Sequence, residues 1–301
     1  MKAIDITLVT CHDYENPTST TEYVQNVLLE DRLIAEALQS KGLQVHRTSW
    51  DNPMFDWANT QVAVVRTTWD YFNRPKEFAA WLTKVQHLTR LINPIETLRW
   101  NMDKHYLQDL ASRGVNIVPT RFVEIGETQT LQHLVAETGW SKVIIKPAIS
   151  GAARHTYRMT LEQIPAHEAI FKQLIADEAM LLQPFMSTVE THGEVSHMVF
   201  GGKYSHSVLK RAKAGDFRVQ DDHGGTVYPY EASEVEMHYA EMVTAKCSPI
   251  PVYARVDVMW DAHNELALVE LELIEPELWM RKHTQSAGLF ADALTKAKNG
   301  E

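Results

Sequence analysis

Val62-Ala63-Val64-Val65 is apolar at consecutive positions. Strand side chains alternate between faces, so this run needs apolar cover on both sides, as in a buried parallel strand. Its surroundings agree. Ile4 to Thr10 is a β-rich run ending in a polar stretch. Val24, Val27, Leu28, Ile34, Ala35 and Leu38 then recur at helical spacing, closed by Gly42. Leu43 to Thr48 reads as a strand, Phe78, Trp81, Leu82, Val85 and Leu88 as a helix face, and Leu91-Ile92 as a short strand. Strand, helix, strand, strand, helix, strand predicts an open parallel α/β sheet.

After Asn93-Pro94 the pattern becomes α+β. Helices are predicted over Lys104–Ser112 and Leu131–Thr138, with strands over Ile117–Val123 and Val143–Lys146. A small-residue stretch, Pro147 to Ala153, precedes helix Glu168–Ala176 and strand Ala179–Gln183. From Glu194 the chain is expected to turn antiparallel. Val195–Phe200 and Lys203–Lys210 flank Gly201-Gly202, a hairpin signal. A basic loop spans Arg211 to Thr226, followed by helix Glu234–Lys246. Tyr253–Trp260 and Glu265–Leu273 form a second hairpin, and the last helix covers Gln285 to Lys298.

Composition excludes several classes. The chain has 301 residues, 45% of them apolar, enough to bury a core in one large or two to three small domains. A net charge of −10 and a pI near 5.8 argue against nucleic-acid and anionic-membrane partners. No run of about 18 apolar residues predicts a transmembrane helix, and Met1 to Thr10 lacks the features of a signal peptide. Cys11 and Cys247 cannot build a disulfide framework. The expectation is a soluble cytoplasmic enzyme or binding protein. Gly202-Lys203-Tyr204 is no Walker A loop, and the histidines show no metal-ligand spacing. For Cys11, a buried structural thiol is the simpler reading than a reactive one.

The local chemical signal is acidic. Arg255 and Asp257 share one face of a strand, and Glu270 and Glu272 share one face of the next. If these strands pair, three carboxylates converge. They repel unless a cation lies among them, and hard oxygen donors suit Mg²⁺ or Mn²⁺ with substrate phosphates. A solvated sheet face with alternating charge accounts for the same residues. Cations stand at element ends: Lys104 near a helix start, Lys146 after Val143-Ile144-Ile145, Lys210 after another strand, and Arg211, Lys213 and Arg218 beyond it. Each alone reads as a surface charge. Facing a carboxylate cluster, they form the opposite wall of a nucleoside triphosphate site.

The ordered set Lys104, Lys146 before a small-residue loop, Gln183-Pro184-Phe185, Gly193-Glu194, Asp216-Phe217-Arg218, Gly224-Gly225, Arg255-Val256-Asp257 and Glu270-Leu271-Glu272 resembles the ATP-grasp ligases. D-alanine–D-alanine ligase and glutathione synthetase are familiar members. The resemblance runs from about Asn93 to Trp279. Within the superfamily it is nearer to the O-ureido-D-serine cyclo-ligases. Val65 to Tyr71, Arg99 to Lys104, Tyr204 to Lys210, Gly215 to Gln220 and Glu272 to Glu277 carry that likeness.

The resemblance implies an N-terminal α/β domain over 1–97, a central ATP-grasp lid domain over 98–182 and a catalytic domain over 183–301. It implies that Lys104 and Lys146 contact ATP phosphates, that Gln183, Pro184 and Phe185 form the adenine hinge, and that Glu194 binds ribose. Ser150, Gly151 and Ala152 would belong to a loop closing over the phosphates, small enough for close backbone approach. Lys210 and Arg218 would lie near the γ-phosphate and substrate, Arg255 would stabilise the transferring phosphoryl group, and Asp257, Glu270 and Glu272 would hold Mg²⁺ or Mn²⁺. The implied chemistry is carboxylate activation as an acylphosphate, then attack by an amine. Glu272 departs from the Asn of many ligases, and Leu273-Ile274-Glu275-Pro276-Glu277 departs from the D-alanine ligases, which favours the cyclo-ligase branch.

Thr10, Cys11, Arg66, Thr68, Asp70 and Tyr71 follow predicted strands, where open α/β sheets bind ligands. Arg66 is a candidate for a substrate carboxylate and Asp70 for its amino group; mutual pairing of the two is the alternative. The leading expectation is a ligase for a small amino-acid-like substrate, by ring closure or by joining two molecules. A non-catalytic ATP-binding protein and a kinase are the competing classes. A homodimer is compatible with the sequence.

Overall fold

The computed structural model describes residues 2–19, 21–213 and 224–301. Strand β1 (Ile4–Thr10) leads through short α1 (His12–Glu15) and α2 (Glu22–Gln39) to β2 (Val45–Ser49). β3 (Thr60–Thr67), α3 (Pro75–Val85), β4 (Arg90–Ile92), α4 (Ile95–Asn101) and α5 (Tyr106–Ser112) follow. The first four strands pair parallel in the order β2-β1-β3-β4. Both faces of the Val62–Val65 run are buried, as its composition requires. Val62 and Val64 pack with Ile34 and Leu38 of α2, while Ala63 and Val65 pack with Phe78, Trp81 and Leu82 of α3.

The next strands are β5 (Arg121–Val123), β6 (Lys142–Pro147), β7 (Tyr157–Thr160) and β8 (Met180–Pro184), with helices α6 (Leu131–Thr138) and α7 (Ile164–Ile175). They form an antiparallel sheet ordered β5-β8-β6-β7, so antiparallel pairing starts well before Glu194. Only Arg121–Val123 of the expected strand 117–123 forms. Pro119, lacking an N–H, interrupts the run, and Ile117 makes a lone bridge to Leu268.

After α8 (Thr188–Thr191) come β9 (Glu194–Phe200), β10 (Lys203–Arg211), β11 (Thr226–Tyr230), α9 (Glu234–Ala245), β12 (Tyr253–Trp260), β13 (Leu266–Glu272) and α10 (Ser286–Asn299). The strands pair in the order β11-β10-β9-β12-β13. One face carries Val195, Val199, Val256, Val258 and Leu271 against α9 and α5. The other carries charge at one end and Met198, Phe200, Val208 and Tyr253 at the other. That apolar end shares a core with Ile6, Leu8 and α10, joining this sheet to the parallel one. Full burial of each such side chain contributes roughly 1.5–3 kcal/mol. No helix among the described residues is long and apolar enough to cross a membrane.

Candidate active site

The hairpin β12–β13 pairs Arg255 with Glu272 and Asp257 with Glu270, and β9 sets Ser196 opposite Asp257. β10 sets Lys210 opposite Glu194. Period-2 alternation therefore gathers Glu194, Ser196, Lys210, Arg255, Asp257, Glu270 and Glu272 on one sheet face. Gly193 shapes its edge: at φ +83° a Cβ there would stand 2.5 Å from the Lys210 carbonyl oxygen.

The face is closely paired. Arg255 donates to Asp257 at 2.9 and 3.0 Å and contacts the Glu272 carboxylate. Lys210 lies 3.2 Å from Asp257 and against Glu194, and the Ser196 hydroxyl donates to Asp257 at 2.6 Å. Lys104 reaches Glu270 at 3.0 Å. Although burial opposes ionisation, Arg255 and Lys210 hold the Asp257 carboxyl far below the usual carboxylate range. Burial opposes the charge of Glu270 too, but Lys104 and Lys146 bring its pKa down. Burial lifts Glu272 to about 7, with Glu270 and Asp257 adding to the rise against Arg255. Burial also raises Glu194 and Glu275. Lys210 is pushed down by burial but held above its ordinary value by Asp257 and Glu194.

A cavity of about 560 Å³ opens over this face. Its opposite wall comes from the central sheet: Lys104, Lys146, Ser150, Gly151, Ala152, Gln183, Pro184 and Phe185 all line it. Lys146 makes no ion pair with a described residue, and burial lowers its pKa. Lys104 is tied by its N–H to Ala148 and by its ammonium to the Ser150 carbonyl at 2.6 Å. Beyond Ser150, Ala152, Ala153 and His155 hold φ of 49°, 53° and 48°, a region costly for residues with a Cβ. A Cβ on Gly151 would stand 2.5 Å from the Phe72 ring, so only glycine allows this approach. The Gln183 amide is turned to Thr120 at 2.8 Å, and the Phe185 N–H donates to the Lys142 carbonyl. Val118, Ile144, Met186, Met259 and Val269 complete an apolar slot that sequence reading missed, because isolated apolar residues look like core.

The third wall comes from the parallel sheet, and here several expectations are corrected. Cys11 and Asp70 line the cavity; Thr10, Arg66, Thr68 and Tyr71 do not. Arg66 is fully buried on Glu30 at 2.7 Å and serves neither a substrate carboxylate nor Asp70. A guanidinium inside an apolar core must be paired, and α2 supplies the carboxylate. Thr10 bonds to Thr67, Thr68 is buried, and Tyr71 packs on Phe72 and Phe78. Asp70 is held by the Trp50 indole at 2.8 Å and Arg74 at 3.0 Å. Cys11 is buried and its thiol is pushed up to about 11 by burial, which fits the structural reading. Arg218 lies outside the described residues. Trp279, absent from the expectations, lies with φ +44° beside the charged face, its ring 5.1 Å from the Arg255 guanidinium and 5.6 Å from the Lys210 ammonium.

Among the described residues, no group of three His, Cys, Asp or Glu is drawn together as for a bound metal. The physical reason is the pairing above: each carboxylate faces an Arg or Lys. The donor set still fits Mg²⁺, which takes one or two carboxylates and completes its shell with water and phosphate oxygens.

Residues 6–93 match a family model described as the D-cycloserine synthetase DcsG N-terminal domain. The cycloserine biosynthesis protein DcsG of Streptomyces lavendulae is 29% identical over 278 residues, covering 87% of this chain and 92% of that protein. The crystal structure of D-cycloserine synthetase DcsG superposes with a TM-score of 0.85 at 27% identity, over 97% of this chain and 99% of that one. The ATP-grasp ligase PsnB, complexed with minimal precursor, Mg and ADP, superposes at 0.63 with 14% identity over 99% and 100% of the two chains. This is the ATP-grasp fold. D-alanine–D-alanine ligase of Bacillus anthracis, complexed with ATP, shares it at a TM-score of 0.68 and 14% identity, over 99% and 98%. The ATP-grasp architecture is what brings the walls of the cavity together: two antiparallel sheets face each other and the parallel sheet closes one end.

Proposed function

We propose that this chain is an ATP-dependent ligase. It activates the carboxylate of a small amino-acid-like substrate as an acylphosphate and forms an amide bond, by ring closure where the attacking nitrogen belongs to the same molecule. One observation carries the reading. Lys104, paired with Glu270 at 3.0 Å, and Lys146 line one cavity together with Glu272, and that cavity reaches the parallel-sheet wall at Asp70.

In this reading the apolar slot and the 183–185 segment take the base, and Lys104 and Lys146 take phosphate charge. Glu194, which also pairs with Lys210, binds the ribose hydroxyls. Asp257, Glu270 and Glu272 supply the oxygen donors for Mg²⁺. When bound, the ion neutralises phosphate charge and aligns the terminal phosphoryl group. Arg255 stabilises negative charge at the reacting centre, and Lys210, with Arg218, serves the phosphoryl group and substrate. A substrate carboxylate oxygen displaces ADP from the γ-phosphorus. The amine then adds to the acyl carbon, and inorganic phosphate and a proton leave.

We also divide the chain into three domains, keeping residues 1–97 and moving the second boundary from the expected 182/183 to give 98–184 and 185–301. The central unit is drawn through Pro184 because β8 stays paired there with Val143.

The test is ADP and phosphate release with Mg²⁺ over a panel of amino acids and both O-ureidoserine enantiomers, with mass analysis of products. Substrate-dependent ADP and phosphate with a condensed or cyclised product is expected. A stable phosphorylated product would make the protein a kinase, and ATP binding without turnover on any member would favour the non-catalytic class.

A further inference from the structure

Glu275 lines the parallel-sheet end of the cavity and is only 8% exposed. Its side chain has no hydrogen bond or ion pair with a described residue. Of the other acidic side chains at this end, Asp70 bonds to Trp50 and Arg74, Glu277 pairs with Arg281, and Asp13 is exposed. The cations closest in influence are committed elsewhere, Lys104 to Glu270 and Arg255 to Asp257 and Glu272. A largely buried carboxyl that no protein group pairs is open only toward the cavity, and a cationic group entering there would pair it.

The surroundings fit the same ligand chemistry. The Trp69 indole N–H donates to the Glu275 carbonyl at 2.9 Å, anchoring that residue to the wall. The Trp69 ring packs edge-on with Tyr14 at 5.4 Å and tilted with Tyr23 at 6.2 Å, and all three rings line the cavity. Aromatic faces beside a carboxylate attract ammonium groups.

We infer that Glu275 binds a primary ammonium group of the substrate, so that the enzyme selects a zwitterion rather than a simple carboxylic acid. This rests on the ligase reading and moves the amino-group role from Asp70, whose carboxylate already accepts from Trp50 and Arg74, to Glu275.

The test is calorimetric titration of D- and L-serine and both O-ureidoserine enantiomers, each as free amine and as N-acetyl derivative, into full-length protein with Mg²⁺ and AMPPNP. Wild type, Glu275→Gln and Asp70→Asn are compared, and ADP release is measured separately. At least one free amine should bind wild type about 30-fold or more tightly than its N-acetyl form. Glu275→Gln should lose about 30-fold for that amine and retain AMPPNP affinity within about twofold; Asp70→Asn should lose less than about threefold. Unchanged amine affinity in Glu275→Gln, parallel loss of AMPPNP affinity, or no binding of any panel member to wild type overturns the inference. Amine binding that depends on Glu275 without ADP release in wild type would keep this subsite and remove the ligase reading.

Discussion

Lys146 enters the cavity from β6 with its charge disfavoured by burial and unmatched by any described ion-pair partner. A phosphate chain is the natural counter-charge, so Lys146→Ala should weaken nucleotide binding by about 10- to 100-fold with little change in thermal midpoint. Titration with AMPPNP and Mg²⁺ checks it, and unchanged affinity removes Lys146 from the phosphate wall. Glu270→Gln should leave the fold intact, lose turnover by roughly 100-fold or more and raise the Mg²⁺ requirement; normal activity in a folded variant refutes the carboxylate face as the metal side. These residues were readable because alternation fixes which side chains share a strand face. Arg66 was not. Its partner Glu30 lies on another element, 36 residues away, whereas Asp70 is only four positions from it. Sequence proximity points to the wrong acid when burial decides the pairing.

At the level of elements, α2 reaches the site through one carboxylate. Glu30 accepts from Arg66 at 2.7 Å and from the backbone N–H groups of Leu278 and Met280 at 2.9 and 3.1 Å. Those amides flank Trp279, so Glu30 fixes the segment that presents the indole to Arg255 and Lys210. Glu30→Gln removes the charge opposite a fully buried guanidinium and should cost about 3–5 kcal/mol in urea unfolding; a loss below about 1 kcal/mol would show that Asp31, 4.0 Å from Arg66, suffices. The loop after β6 makes a separate prediction. In Gly151→Ala the new Cβ meets the Phe72 ring, so kcat/KM should fall about 10-fold while the additional change Phe72→Leu restores part of it. No recovery in the double variant would place the clash elsewhere. Hairpins were legible, since Gly201-Gly202 and the Asp261–Asn264 turn sit between alternating runs. Strand β11 was not, because Pro229 argues against a strand except at an edge, and an edge is where it lies. Short β7, also an edge, gave no longer alternation to read.

For the whole molecule, the α/β and α+β halves were visible as a change of pattern near Asn93, but how they join was not. Asn93 itself joins them, donating to the Tyr253 and Leu273 carbonyls at 2.9 Å, while the Tyr253 hydroxyl lies 2.8 Å from the carbonyls of Val65 and Ile274. Such polar seams have no periodicity. The same seam region buries histidines: His206 bonds through Nε2 to the Leu278 carbonyl and stacks on His283, and His197 bonds to Ser207 in the opposite face of the sheet. Burial pushes both His197 and His206 down to about 4. An unfolded histidine titrates near about 6.5, so between those values the unfolded chain binds more protons. The stability from keeping each ring neutral is therefore whole above about pH 6.5 and is lost as pH falls toward 4, roughly 3 kcal/mol per ring over the full window. Urea unfolding of wild type and His197→Gln at pH 7 and pH 5 isolates one share. The variant's loss on acidification should be smaller than the wild type's by about 2 kcal/mol. Equal losses would mean that His197 does not set the acid limit, and the carboxylate pairs of the active face would then carry it.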